Sequence, residues 1–443
     1  MTRKRSSPPL TGELFDRSSF SRAASKPVAP RRARGPRSGA RISVDDDREL
    51  ELELGFDTGP PAGELAEGQA EDHAEEDEAD DEVLLLSEIP AAAAGDLLEI
   101  PDALPSAASS AEAPLLPEPE PEHAFEYAGG IHLSGSILWC DCDRRRELVF
   151  LSHAHADFIG KNRRILATDK TVKILTRASG KVEALTSPYK RRFTLGPLSL
   201  EMHPAGHVLG SAQLLIERNN RRIVYTSDVS TRPAGTVEKA RPVPCDVLAI
   251  PATYGLPIYR FPPRDEVAEQ IKRFVERCFE EHATPVLIAE QIGTSQELMR
   301  ILGEGGFKLR VHGSIYDIAK IYRELGVSLP GSRRFAGTPA RDEVVIFPPI
   351  LRKHASIRKL KKSRTAIISG RAVEPGFAFQ QRVDEAFALA DAADHHELVD
   401  FIKETGAQEI YLSDGYVDAF AEELRGLGLR VFPLVPPVQL KLL

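Results

Sequence analysis

From residue 126 onward, short apolar runs alternate with amphipathic stretches. ELVFLS, RRIVYTSD, PVLIAE, KLRVHG, EVVIFPP, TAIISG and EIYLSD are strand-length and rich in β-branched and aromatic residues, as buried strands are. Between the second and third, Val267, Ile271, Phe274, Val275, Cys278 and Phe279 recur at i, i+3, i+4 spacing, which predicts a helix. After the last, GYVDAFAEELRGLG predicts another, with Gly426 as its stop signal. Repeated strand–helix alternation indicates an α/β fold in layers. No internal repeat interrupts it.

Residues 1–125 lack this pattern. They are rich in Pro, Ser, Ala and Glu and carry charge in blocks of one sign, so a disordered tail is expected there. Charge separates along the chain: +9 over residues 1–42, −25 over 43–125 and +7 over 126–443. The net −9 therefore hides a mildly basic remainder, compatible with a polyanionic partner. Four cysteines, Cys140, Cys142, Cys245 and Cys278, give neither zinc-ribbon spacing nor a disulfide framework. The basic N-terminus has no apolar signal core and no apolar run reaches the roughly 18 residues of a membrane helix, so a cytoplasmic protein without membrane contact is expected.

The segment LVFLSHAHADFIG carries the chemistry. A strand ends near Ser152, and His153, His155 and Asp157 follow, separated by alanines that let the loop aim three donors into one place. Two imidazoles and a carboxylate so close suit zinc or a similar divalent ion. A second segment, HPAGHVLGSAQLLIE, supplies His203 and His207, the latter flanked by Gly206 and Gly210. A third, RRIVYTSDVS, places Asp228 at a strand end, where sites of α/β sheets are built.

This order, His-X-His-X-Asp, then a Gly-flanked His, then a strand-terminal Asp, resembles the metallo-β-lactamase superfamily. HPAGHVLGSAQ and ATYGLPIYRFP narrow the likeness to β-CASP nucleases, in particular bacterial exonucleases of the mRNA 3′-end-processing-like and DNA-ligase-associated kinds. The resemblance spans residues 126–443. It implies an αββα metallo-β-lactamase sandwich in two parts, 126–257 and 386–443, with a β-CASP-like α/β domain inserted at 258–385. It also implies phosphodiester hydrolysis with two metal ions, usually zinc. By position, His153, His155, His207 and Asp228 match the first metal site. Asp157 and Asp228 match part of the second, and Asp157 is also the expected catalytic residue.

The chain departs from the family pattern at four places. Phe158 replaces a metal-binding His, and Pro251 replaces the acid before Ala-Thr-aromatic-Gly. Ala392 in ADAADHHEL replaces the His of a Ser-Asp-His-Ala-Asp-like string, and Asp414 replaces the closing His. The acid and His lost at 251 and 392 form an orienting pair in the family, so their joint loss is coherent. His395 and His396 follow on the next helix. Asp414 is either a helix cap or, with Asp157 and Asp228, part of an oxygen-only site for Mn²⁺ or Mg²⁺. The expected metal content is one zinc ion, with that second site open to Mn²⁺ or Mg²⁺.

Basic clusters occur at 144–146, 190–192 and 221–222. The densest holds Arg352, Lys353, Arg358, Lys359, Lys361, Lys362 and Arg364, which would meet phosphates without reading sequence. The alternative is a solvated helix face. The expected partners are single-stranded RNA or DNA and proteins of DNA repair or RNA processing. Attenuated metal-dependent hydrolysis is the leading reading. A non-catalytic nucleic-acid- or partner-binding module is the second, and a small-molecule metallohydrolase the third.

Overall fold

In the computed structural model the described residues are 121–155, 162, 164–180 and 182–436. Asp157, Phe158 and the expected tail through residue 120 lie outside them. Residues 121–125 take part in the fold: Ala124 and Phe125 are buried, and Phe125 opens the first strand.

β1 (Phe125–Tyr127), β2 (Ile131–Leu133), β3 (Leu138–Cys140), β4 (Leu148–Phe150), β5 (Arg164–Ala167) and β6 (Glu183–Thr186) form one sheet in sequence order. Helix α1 (Asp169–Ser179), capped by Thr168, connects β5 to β6. The second sheet begins with β7 (Phe193–Leu195), β8 (Leu198–Pro204), β9 (Ala212–Arg218), β10 (Arg221–Tyr225) and β11 (Val247–Ala252).

The chain then leaves through α2 (Arg264–Glu280) into a third sheet, all parallel. Its elements are β12 (Thr284–Ile288), α3 (Thr294–Glu304), β13 (Lys308–Val311), α4 (Gly313–Glu324), β14 (Ser332–Arg334), β15 (Glu343–Phe347), α5 (Ala355–Arg358), β16 (Ser363–Ile368), α6 (Phe377–Gln381) and β17 (Glu385–Phe387). Strand order is β14-β13-β15-β12-β16-β17. β15 is buried along its whole length, as parallel strands covered on both faces are. After α7 (His395–Thr405), β18 (Glu409–Gly415) pairs with β11 and rejoins the second sheet. α8 (Val417–Gly426) and β19 (Arg430–Pro433) complete it.

The period-2 alternation of strands sorts the layers. In β9, Leu214 and Ile216 face the first sheet, in a core with Phe150, Met202 and Tyr411. Leu215 faces the other way, toward Phe401 and Ile402 of α7 and Phe420 and Leu424 of α8. In β4, Val149 points outward, into a cluster with Ile174 and Leu175 of α1. The result is two sheets face to face with helices on both outer sides, the αββα sandwich that the family resemblance implies.

All seven predicted strands and both predicted helices are present. The stop signal of α8 differs: Gly426 is still helical, and the left-handed turn is taken by Gly428, at φ +87°. All four cysteines are buried free thiols. Among the described residues no helix is long and apolar enough to cross a membrane.

Candidate metal centre

The C-terminal ends of β4, β8 and β10 deliver the predicted ligands to one edge of the sandwich. His153 follows β4 after Leu151 and Ser152. His207 lies in the turn between β8 and β9, where Gly206 takes φ +77°. A Cβ on Gly206 would stand 2.1 Å from the Ser230 carbonyl oxygen, so only glycine lets this turn pack there.

His153, His155 and His207 present one ligand atom each, all within 4.8 Å of one another. Nε2 of His153 lies 2.9 Å from Nδ1 of His155, which is 3.4 Å from Nε2 of His207. The hydrogen bonds behind two rings fix their tautomers. His207 Nδ1 lies 3.1 Å from the Asp391 carbonyl, which only accepts, so Nδ1 carries the proton and Nε2 is bare. Ser152 Oγ donates to Asp141 at 2.6 Å and so accepts from His153 Nδ1 at 2.7 Å, leaving His153 Nε2 bare as well. At most one proton, on His155 Nδ1, can lie among three nitrogens. Converging lone pairs of this kind fit a divalent cation.

Burial and the neighbouring imidazoles push His153 well below its ordinary pKa. Burial and His207 lower His155, against the opposing pull of Asp391 and Asp228. Both rings therefore stay neutral, the form that ligates. The same shifts set a pH dependence for the metal-free protein. The unfolded chain takes up protons below about pH 6.5 that these folded imidazoles refuse, so stability falls as pH drops. Metal-stripped protein is expected to melt at lower temperature at pH 6 than at pH 7, and a His153→Asn/His155→Asn variant is expected to lose part of that slope in a thermal scan. An unchanged slope in the variant would mean that these rings titrate normally.

Asp228, the fourth expected ligand, is outside this three-histidine group; its Oδ1 is held by Thr253 Oγ1 at 2.8 Å. Its charge reaches both His155 and Asp414. Asp414 is the penultimate residue of β18, with φ +48°. Its carboxyl is raised above the usual range by burial, with Ser413 opposing and Asp228 adding to the shift. It does not cap α8, whose N-cap is Tyr416 without a side-chain cap bond.

Two functional residues escaped the sequence reading. Asp391 places its backbone oxygen and, at 3.5 Å, its carboxylate on His207 Nδ1. Thr294 Oγ1, at the start of α3, holds that carboxylate at 2.9 Å. Asp141 collects Ser152 N, Ser152 Oγ and Tyr225 OH at 2.6–2.9 Å, which fixes the loop carrying His153. Desolvation raises its carboxyl to about 6. Asp391 sits in ADAADHHEL beside the altered Ala392, and Asp141 in WCDCD at a strand end; only the second position is a readable signal.

Pro251 and Ala392 are buried, and neither offers a proton donor. His395 turns to Glu423 of α8 at 2.7 Å, away from the centre. His312 caps α4 by accepting from Ser314 N. His203 lies outside the cluster, paired with Glu201 at 3.2 Å. The basic segment splits. Arg352 and Lys353 follow β15 on the C-terminal edge of the third sheet, the edge that also carries Gly293 and Thr294. Lys361, Lys362 and Arg364 lie at the N-terminal end of β16, the opposite edge, and Arg364 is held by Glu281 and Asp384. Arg358 and Lys359 are exposed on the short α5 stretch between the two edges.

No family model matches the chain. Individual proteins do. A probable DNA ligase of Opitutus terrae is 30% identical over 320 residues, 72% of this chain and 32% of the relative. An RNase J-like protein of Methanocaldococcus jannaschii is 26% identical over 186 residues, 36% of this chain and 44% of the relative. Cleavage and polyadenylation specificity factor subunit 3 of Dictyostelium discoideum is 31% identical over 132 residues, 29% of this chain and 16% of that protein.

The chain belongs to the β-CASP branch of the metallo-β-lactamase superfamily. It spans less than half the length of these three relatives. The β-CASP nucleases are metal-dependent, in keeping with the three-histidine cluster.

Proposed function

We propose that this chain hydrolyses phosphodiester bonds of single-stranded nucleic acid with a zinc ion held by His153, His155, His207 and Asp228. The convergence of three imidazole nitrogens carries this reading. A divalent ion in such a site polarises a phosphoryl oxygen and lowers the pKa of water. The chain's own residues orient the site: Asp391 holds the His207 proton on Nδ1, Asp141 does the same for His153 through Ser152, and Thr253 fixes Asp228. Residues 258–385 are read as the β-CASP insert, with Arg352 and Lys353 on the edge nearer the centre.

With Pro251 and Ala392 at the altered positions, turnover is slow, because general acid–base groups contribute about 10²–10⁴-fold. Burial of those two apolar side chains is also what favours the second reading, a module that binds nucleic acid without cleaving it. A probable DNA ligase and a cleavage and polyadenylation factor among the relatives support a setting among DNA-repair or RNA-processing proteins.

A second ion would meet only oxygen, from Asp228, Asp414 and Asp157, which suits Mn²⁺ better than Zn²⁺. Degradation of labelled single-stranded DNA and RNA is therefore expected to be faster with Mn²⁺ than with Zn²⁺ alone, and to drop about 10-fold or more in Asp414→Ala, within the range for lost metal-site partners. Full activity in that variant would exclude Asp414 from the site. Inactivity of the unaltered protein with every metal, together with retained binding, would establish the second reading.

A further inference from the structure

We propose that a basic recess beside β8, formed by Lys190, Arg222, Lys239 and Arg241, binds backbone phosphates of the strand that reaches the metal centre, a reading that rests on the function proposed above. The recess encloses about 500 Å³ and is also lined by His203, Pro204 and Glu238.

Its lining acid is Glu238, and the neighbouring Glu201 and Glu217 are already paired. Glu238 pairs with Lys170 at 3.7 Å. Glu201 pairs with His203 and Arg192, and Glu217 with Arg192 and Arg222. Among the described residues no carboxylate comes within ion-pair distance of Lys190, Lys239 or Arg241. Three exposed cations therefore face one recess without a counter-ion from the fold, a local positive potential that attracts an anion.

The backbone carrying them is fixed. Lys190 N donates to the Met202 carbonyl at 2.8 Å. Gln213, fully buried, donates from Nε2 to the carbonyls of Pro204 at 2.8 Å and Arg241 at 3.0 Å. Ala240 N donates to Ser230 at 2.8 Å, and its nitrogen would stand 2.6 Å from a Cβ on Gly206. Arg222 donates Nε to Pro244 at 2.9 Å, bracing the wall.

The recess and the metal centre share one stretch of chain. His203 and Pro204 line the recess and His207 holds the metal position, so four residues separate them, at most about 14 Å of extended backbone. At about 3.4 Å per nucleotide of a stacked strand, the two are within roughly four phosphates of each other. Lysines act as point charges toward phosphate, so this contact adds affinity and register without sequence preference.

The test is the salt dependence of binding by the full chain, using a labelled oligodeoxythymidylate and an oligouridylate, for wild type and a Lys190→Ala/Lys239→Ala/Arg241→Ala variant. Each lost phosphate contact removes about 0.7 from the slope of log affinity against log salt for single strands. The variant is expected to lose about 2 from that slope, with its metal content and its hydrolysis of the small diester bis(p-nitrophenyl) phosphate unchanged. A wild-type slope in the variant overturns the proposal, as does failure of the wild type to bind either strand. Binding with the expected slopes but no hydrolysis of any substrate sinks the catalytic reading and leaves the recess standing. If a peptide of residues 43–82 binds in a variant-sensitive manner and neither oligonucleotide does, the recess serves the chain's own acidic tract and the proposal is overturned.

Discussion

Replacing His207 with alanine is expected to weaken metal binding by more than about 100-fold and to take nucleic-acid hydrolysis with it. Outer-shell partners of metal ligands are typically worth 10–100-fold in affinity, and His207 is a ligand itself. It supplies a bare Nε2 whose direction is set by two groups on Asp391, the carbonyl at 3.1 Å and the carboxylate at 3.5 Å. Removing the ring leaves two imidazoles and Asp228, fewer donors than a four-coordinate site requires. The same change leaves Asp391 with Thr294 as its side-chain partner and opens a gap where the buried ring stood. A modest loss of stability should accompany the loss of metal. Equilibrium dialysis with a chromogenic zinc chelator reads the affinity. Wild-type affinity in the variant would show that His207 points into the cluster without ligating.

Asp141→Ala should cost about 3 kcal/mol of stability and, through His153, about 10–100-fold in metal affinity. The carboxylate accepts from Ser152 N at 2.8 Å, Ser152 Oγ at 2.6 Å and Tyr225 OH at 2.9 Å. Alanine leaves these enclosed donors without their acceptor, at roughly 1–3 kcal/mol for each that finds no substitute. Part of the cost is offset, because burial raises the Asp141 carboxyl to about 6 and its removal ends that penalty. The metal effect follows from the tautomer: without Asp141, Ser152 Oγ is free to donate to His153 Nδ1, which moves the proton to Nε2 and closes the ligating atom. Asp141→Asn keeps one acceptor oxygen and should fall between wild type and alanine in both thermal unfolding and zinc affinity. Equal zinc affinity in all three would separate Asp141 from the site and leave it a structural residue only.

The α/β layering was legible because strand period and burial coincide, whereas the sandwich itself was implied by the family resemblance. β4, β10, β12, β13, β15, β16 and β18 are apolar enough to be read as buried strands. Three-residue strands such as β1, β2, β3 and β17 are too short for any periodicity to emerge. The helix stop moved from Gly426 to Gly428 because both glycines suit the left-handed turn and only packing chooses between them.

At the site, the histidine ligands were readable because their spacing places them on two loops at strand ends. Asp391 was not, since its contact with His207 spans 184 positions of sequence and one of its two contacts is made by a backbone carbonyl, which every residue has. The basic segment at 352–364 read as one patch, yet a parallel strand carries its two ends to opposite edges of the third sheet, about 20 Å apart at 3.3 Å per residue over β16. Lys190, Lys239 and Arg241 show the converse: positions far apart in sequence meet because β8 and the 238–244 segment pack on the same glycine turn.

Elemental analysis of the full chain purified after zinc-supplemented expression addresses the metal centre directly, with His153→Ala as its control. About one zinc per wild-type chain, and little or none in the variant, is the result the three converging imidazole nitrogens require. A wild-type protein as empty as the variant would contradict the metal centre at its root.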